Sequence, residues 1–232
     1  MKKRLSSDLA VEYEDVGQGE PVLLVHGFPF SLQMWRRQAD RLKKHYRVIT
    51  PNLRGFGGTD RFAGPASIQQ MAEDVQALLN GLDIREPVAL GGLSMGGYVA
   101  LAFALKFPQR LRGLILADTR AEADTTEGKA NRDKMIAFAQ THSAREVVEQ
   151  MLPRLVSDRT RERQPQVVEE IRSIAAVQSR EGVIAGLQAM RDRPDSTPFL
   201  QHINVPAVIL VGTDDVVTPL EAAQNLTKAI RK

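Results

Sequence analysis

The chain has 232 residues, 43% of them hydrophobic, no cysteine, and a formal net charge of +3. That length suits one large α/β domain, or a domain with a small insert, and the apolar content allows a full core. The lack of cysteine excludes a disulfide framework, a thiolate nucleophile and thiolate metal ligands.

The chain opens on the charges of a signal-peptide start, Met1-Lys2-Lys3-Arg4. Leu5 to Asp15 then brings Asp8, Glu12, Glu14 and Asp15 in place of an apolar h-region. No run approaches ~18 apolar residues, so no membrane span is expected. A cytoplasmic protein is expected. Short apolar runs then predict strands at Leu9–Tyr13, Val22–His26, Tyr46–Thr50, Val88–Leu93, Leu111–Asp118 and Ala207–Gly212. Most are continuously apolar, as in strands buried on both faces of a parallel sheet.

Helical patterns lie between them. Leu32, Trp35, Ala39 and Leu42 share one face. Ile68, Met71, Val75 and Leu79 share another, opened by a capping box Ser67-x-x-Gln70 and closed by Gly81. The alternation predicts a parallel, doubly wound α/β sheet. The rhythm stops after Asp118. From about Thr119 to Leu200 the patterns are helical: Asn131–Ala139, Ser143–Leu155, Val167–Val177 and Val183–Met190. The expected organisation is therefore a core of residues 1–118 and 201–232, with a helical cap insert over 119–200. Thr218-Pro219-x-Glu221 predicts one more helix, with Thr218 as N-cap and Pro219 at its first position. Asp158-Arg159-Thr160-Arg161-Glu162-Arg163 reads as a solvated helix face, because no basic cluster is interleaved with aromatics as nucleic-acid binding would require.

The chemistry concentrates at a few places. Gly92-Leu93-Ser94-Met95-Gly96 joins a predicted strand to the Ala-rich helix Tyr98–Phe107. A serine hydroxyl is a weak nucleophile until it is raised out of the fold and paired with a base. A sharp strand-turn-helix raises it, and small neighbours permit that turn. The helix N-terminus behind it favours developing negative charge. His26-Gly27-Phe28-Pro29 ends an earlier strand, and Gly27 lets backbone approach a ligand. The N–H groups of Phe28 and Met95 are the candidate oxyanion donors, and the Phe28 ring is expected to line an acyl pocket. The candidate acid is Asp215, in Gly212-Thr213-Asp214-Asp215, with Asp118 and Asp214 as alternatives.

His-Gly-Phe-Pro, Pro51-Asn52-Leu53-Arg54-Gly55-Phe56-Gly57-Gly58-Thr59-Asp60, Gly-Leu-Ser-Met-Gly-Gly and Gly-x-x-Asp-x-x-x-Pro together resemble the α/β-hydrolase superfamily, nearest its carboxylesterase and enol-lactonase-like members. The resemblance runs from about Val22 to Pro219. It implies Ser94 as nucleophile, Asp215 as triad acid, Phe28 and Met95 as oxyanion donors, Gly27 beside them at the substrate, and no cofactor; no cluster of His, Asp and Glu has metal spacing, so no metal is expected. Asn52 departs from the usual Asp of its segment.

A second departure concerns the base. In this architecture the triad histidine follows the acid. The four histidines are His26, His45, His142 and His202, and none follows Asp215. His26 is expected to hold the loop that carries Phe28. The base is therefore expected beyond Lys232, from a final strand and helix that this polypeptide lacks, and the chain alone is expected to be impaired or inactive. The resulting expectation is a serine carboxylesterase for small uncharged esters. A lactonase of the same fold and a ligand-binding homologue without catalysis are the alternatives. Met135, Met151, Leu152, Leu155, Leu187 and Met190 of the insert are expected mainly in packing, some of them facing the substrate.

Overall fold

The structure, a computed structural model, describes residues 1–230. Arg231 and Lys232, at the expected end of the last helix, lie outside the described residues.

Seven strands form one sheet in the order β1-β2-β4-β3-β5-β6-β7. They are β1 (Lys2–Ser6), β2 (Leu9–Val16), β3 (Pro21–Val25), β4 (Arg47–Pro51), β5 (Val88–Leu93), β6 (Leu111–Ala117) and β7 (Ala207–Leu210). The pairings from β4 through β3, β5 and β6 to β7 are all parallel. β1 and β2 are antiparallel additions at one edge. This is the expected α/β architecture with a mostly parallel sheet.

Strand alternation sorts the core. Val22 and Leu24 of β3 face one side, where Trp35 and Ala39 cover them. Leu23 and Val25 face the other side. There they pack with α2 (Ile68–Gly81) and α3 (Met95–Lys106). Trp35 ends a 3-10 turn, Leu32–Trp35, that runs into α1 (Arg36–Leu42).

Between β6 and β7 come α4 (Thr126–Thr141), α5 (Ala144–Leu155), α6 (Asp158–Arg163), α7 (Pro165–Ala176) and α8 (Arg180–Arg191). They do not share one core. Ile136 of α4 and Val183, Leu187 and Met190 of α8 belong to the main cluster. Val148 and Leu152 of α5 instead pack with Val168 and Ile174 of α7 around Phe30. Met135 and Met151 are half-buried against the main cluster. The α8 seat is tight: a Cβ on Gly182 would lie 1.9 Å from the Gly55 carbonyl oxygen. α9 (Leu220–Ala229) closes the described chain.

Several local expectations are corrected. β1 is an unpredicted strand, and its Lys2, Lys3 and Arg4 are exposed. Ser67 caps α2 by accepting from Gln70 N, but the Gln70 amide goes to Asp74 and the capping box stays half made. The left-handed residue after α2 is Asp83, φ 56°, and Gly81 stays inside the helix. Ser143 and Glu146 make a complete box at α5. Thr218 does not cap α9; the N-cap is Pro219. β7 is not buried on both faces, since Val208 and Leu210 are 54% and 53% exposed.

Candidate active site

Ser94 sits at the junction of β5 and α3 with φ 52° and ψ −109°. A non-glycine residue there carries strain of order 1–3 kcal/mol, so its surroundings must hold it. Ser94 N donates to Ala117 O at 2.9 Å, while Ser94 O accepts from Gly97 N and from Thr119 Oγ1. The flanking glycines are required by close approach. A Cβ on Gly92 would lie 2.1 Å from Gly96 O, and one on Gly96 would lie 2.3 Å from Val25 O. The turn is thus clamped between the neighbouring strands β3 and β6.

Gly27 stands next to this turn, because a Cβ there would meet the Leu93 side chain at 2.8 Å and Leu93 O at 3.2 Å. Among the described residues neither the Phe28 nor the Met95 N–H has an acceptor. The Phe28 ring does not line the cavity, contrary to expectation. It is buried edge-on against Phe56, with α8 close by at Gly186. Phe30 and Met34 take the cavity wall instead.

His26 is fully buried beneath this loop. Its Nε2 accepts from Leu53 N at 3.0 Å, so the proton resides on Nδ1, which donates to Gly27 O at 2.9 Å. Burial holds it neutral, with a pKa of about 4. Both nitrogens are engaged, which leaves no lone pair for a substrate proton. Asn52 bridges the same region: Oδ1 accepts from Leu32 N at 2.6 Å and Nδ2 donates to Glu12 Oε2 at 2.5 Å. An Asp here would set a carboxylate against Glu12, so the amide suits its partners.

The acids gather where β6 and β7 end. Asp215 accepts from Val217 N at 2.7 Å, Thr218 N at 2.9 Å and Thr218 Oγ1 at 2.6 Å. That bond explains why Thr218 caps no helix. Asp118, φ 42°, accepts from Gly212 N at 3.0 Å and so ties the two strand ends together. Burial pushes the Asp118 carboxyl above the usual range; the Gly212 N–H opposes that rise and the nearby Asp215 carboxylate adds to it.

Ser94, Asp118, Asp214 and Asp215 line one cavity of about 500 Å³. Its floor is the C-terminal end of the parallel strands. Its roof is the α5–α7 unit, with Leu155, Val156, Ile171 and Ile174. Gly27, Phe28 and Met95 are not among the lining residues. Sequence reading missed Arg154, also in the roof, as it missed Phe30 and Met34. None of the four histidines hydrogen-bonds to Ser94 or Asp215 among the described residues. His142 stacks on Phe138, and His202 lies by a separate small pocket near Leu105 and Phe199. Among the described residues no group of three or more His, Asp or Glu could hold a metal ion, and no helix is long and apolar enough to cross a membrane.

Comparisons with known proteins agree with this fold. A thermophilic esterase from Thermogutta terrifontis, solved with malate bound, superposes with a TM-score of 0.92. It is 42% identical, over 96% of this chain and 82% of its own. The enol-lactonase from Burkholderia xenovorans LB400 superposes with a TM-score of 0.89 at 27% identity, over 97% of this chain and 86% of its own. In sequence, 3-oxoadipate enol-lactonase 2 of Acinetobacter baylyi is 29% identical, covering 97% of this chain and 83% of that protein. The family model for the alpha/beta hydrolase fold matches residues 20–232, and the chain belongs to that family of hydrolases.

Proposed function

We propose that this hydrolase is a serine carboxylic ester hydrolase. Ser94 attacks the ester carbonyl. Asp215 holds the imidazole that takes the serine proton in one tautomer and stabilises its charged form. That imidazole belongs to a histidine other than the four in this chain. The Phe28 and Met95 N–H groups hold the oxyanion, and Gly27 gives the carbonyl room to approach them. An acyl-enzyme forms, and water then releases the acid. Each oxyanion donor contributes roughly 3 kcal/mol to the barrier lowering. The observation that carries this reading is that Ser94 and Asp215, far apart in sequence, line the same cavity.

Two further points support it. The unpaired Phe28 and Met95 N–H groups lie beside the Ser94 turn, and the esterase relative is 42% identical over nearly the whole chain. The test is labelling with a fluorophosphonate in the presence of added imidazole, followed by peptide mapping. A single adduct on Ser94, absent in Ser94→Ala, is expected; an adduct that persists in that variant overturns the assignment.

The enol-lactonase relatives favour one second reading, the opening of a cyclic ester by the same residues. Turnover of lactones without turnover of acyclic esters of like size would select it. A chain that binds ester analogues but never acylates Ser94, with imidazole present, would instead be a ligand-binding homologue.

A further inference from the structure

The roof and the floor of the cavity carry opposite charge. Asp118, Asp214 and Asp215 stand at the strand ends on the floor, and Arg154 stands in the last turn of α5 on the roof. Arg154 is the only cation lining the cavity among the described residues. It makes no hydrogen bond or ion pair with any of them. Several other arginines of the helical segment are paired. Arg132 pairs with Asp124, Arg172 with Glu149 and Arg191 with Asp133. Arg145, Arg159, Arg163 and Arg180 are also without an ion pair, but none of them lines the cavity.

The neighbouring roof polar groups are already engaged. Ser157 Oγ donates to Thr160 Oγ1 at 3.2 Å and accepts from Thr160 N at 3.3 Å. Arg154 is an exposed residue at the cavity wall beside Leu155, Val156 and Ile174, and its donors have no acceptor among the described residues. A guanidinium offers a planar fork of N–H donors that matches a carboxylate.

We propose that Arg154 is a specificity-determining residue that binds a carboxylate on the substrate while the ester carbonyl sits at Ser94. The substrate class is then a half-ester of a dicarboxylic acid, or a lactone bearing a carboxylate. This replaces the expectation of an uncharged ester, and it rests on the ester-hydrolase reading. Opposite charges at roof and floor orient such a molecule. Its free carboxylate is drawn to α5 and repelled from the aspartates, which leaves the carbonyl at Ser94.

A cation at a helix C-terminus is also favoured by the helix dipole, without any ligand. The test separates the two roles. Adipic acid monoamide and hexanamide, non-ester probes of similar size, are titrated into the 232-residue chain at low salt and followed by ligand-observed NMR. The acidic probe is expected to bind about tenfold tighter. The ratio should fall to near one in Arg154→Gln and in high salt, and recover in part in Arg154→Lys. A ratio near one in the parent chain, or one unchanged in Arg154→Gln, overturns the proposal. So does an Arg154→Gln chain that loses only thermal stability, and so does the absence of binding by either probe. Labelling of Ser94 is read separately. Discrimination without labelling sinks the hydrolase reading alone, and labelling without discrimination sinks Arg154 alone.

Discussion

The proposed nucleophile and the proposed acid follow strands of the same sheet but sit in contrasting surroundings. Ser94 follows β5, which has β3 on one side and β6 on the other, and its turn is locked by neighbouring backbone. Asp215 follows β7, the last strand in the sheet order, whose side chains Val208 and Leu210 are exposed. One half of the site is held by packing that admits no added atom. The other is held by a few hydrogen bonds, from Val217 and Thr218 to Asp215 and from Gly212 N to Asp118. A strained serine needs the first kind of support, whereas an acid that only orients a partner can be positioned by the second.

The contrast is most easily broken at its glycines. Gly96→Ala should cost about 4 kcal/mol or more in urea unfolding, because the new methyl meets backbone oxygens that cannot rotate away. Gly212→Ala on the acid side, where the nearest atom is 3.9 Å from a Cβ, should stay within about 0.5 kcal/mol. Comparable losses at the two positions would erase the distinction.

Acid sharpens it next. The folded pKa of His26 is about 4, below its unfolded value of 6.5. Between those values the unfolded chain binds the extra proton, so this contribution is complete above pH 6.5 and is lost as pH falls toward 4. The loss is of the order of 3 kcal/mol, and it belongs to the nucleophile half. Melting temperatures from pH 7 to 4.5 should fall in the parent chain and flatten in His26→Gln.

Thr218→Val, which removes the hydroxyl that donates to Asp215, should cost about 1–2 kcal/mol by the same urea titration. Smaller still, Leu210→Lys should change stability by less than about 0.5 kcal/mol, because that side chain is already half in water.

These two halves were not equally legible in the sequence. The Ser94 turn is local: the glycines, the apolar strand and the helix all fall within residues 88–106, so spacing alone displays it. The parallel strands announced themselves through continuous apolar runs. β1 did not, because Lys2, Lys3 and Arg4 stay in solvent and the strand is held by backbone pairing with β2. The acid side depends on which partner a side chain chooses. Thr218 has the pattern of a helix cap and bonds Asp215 instead. The Phe28 ring was misplaced for the same reason: its neighbours Phe56 and Gly186 are remote in sequence. Arg154 was invisible because the direction of a residue on α5 is set by packing of α5 on α7 and Phe30.

The central proposal is that Ser94, in one cavity with Asp215, is a nucleophile that needs an imidazole, and none of the four histidines among the described residues hydrogen-bonds to either side chain. It is tested most directly by p-nitrophenyl butyrate hydrolysis with and without added imidazole, with Ser94→Ala measured beside the parent chain as background. The account predicts slow turnover without imidazole and a Ser94-dependent gain of at least about tenfold with it. Full turnover without imidazole, or no Ser94-dependent gain at any imidazole concentration, would contradict it.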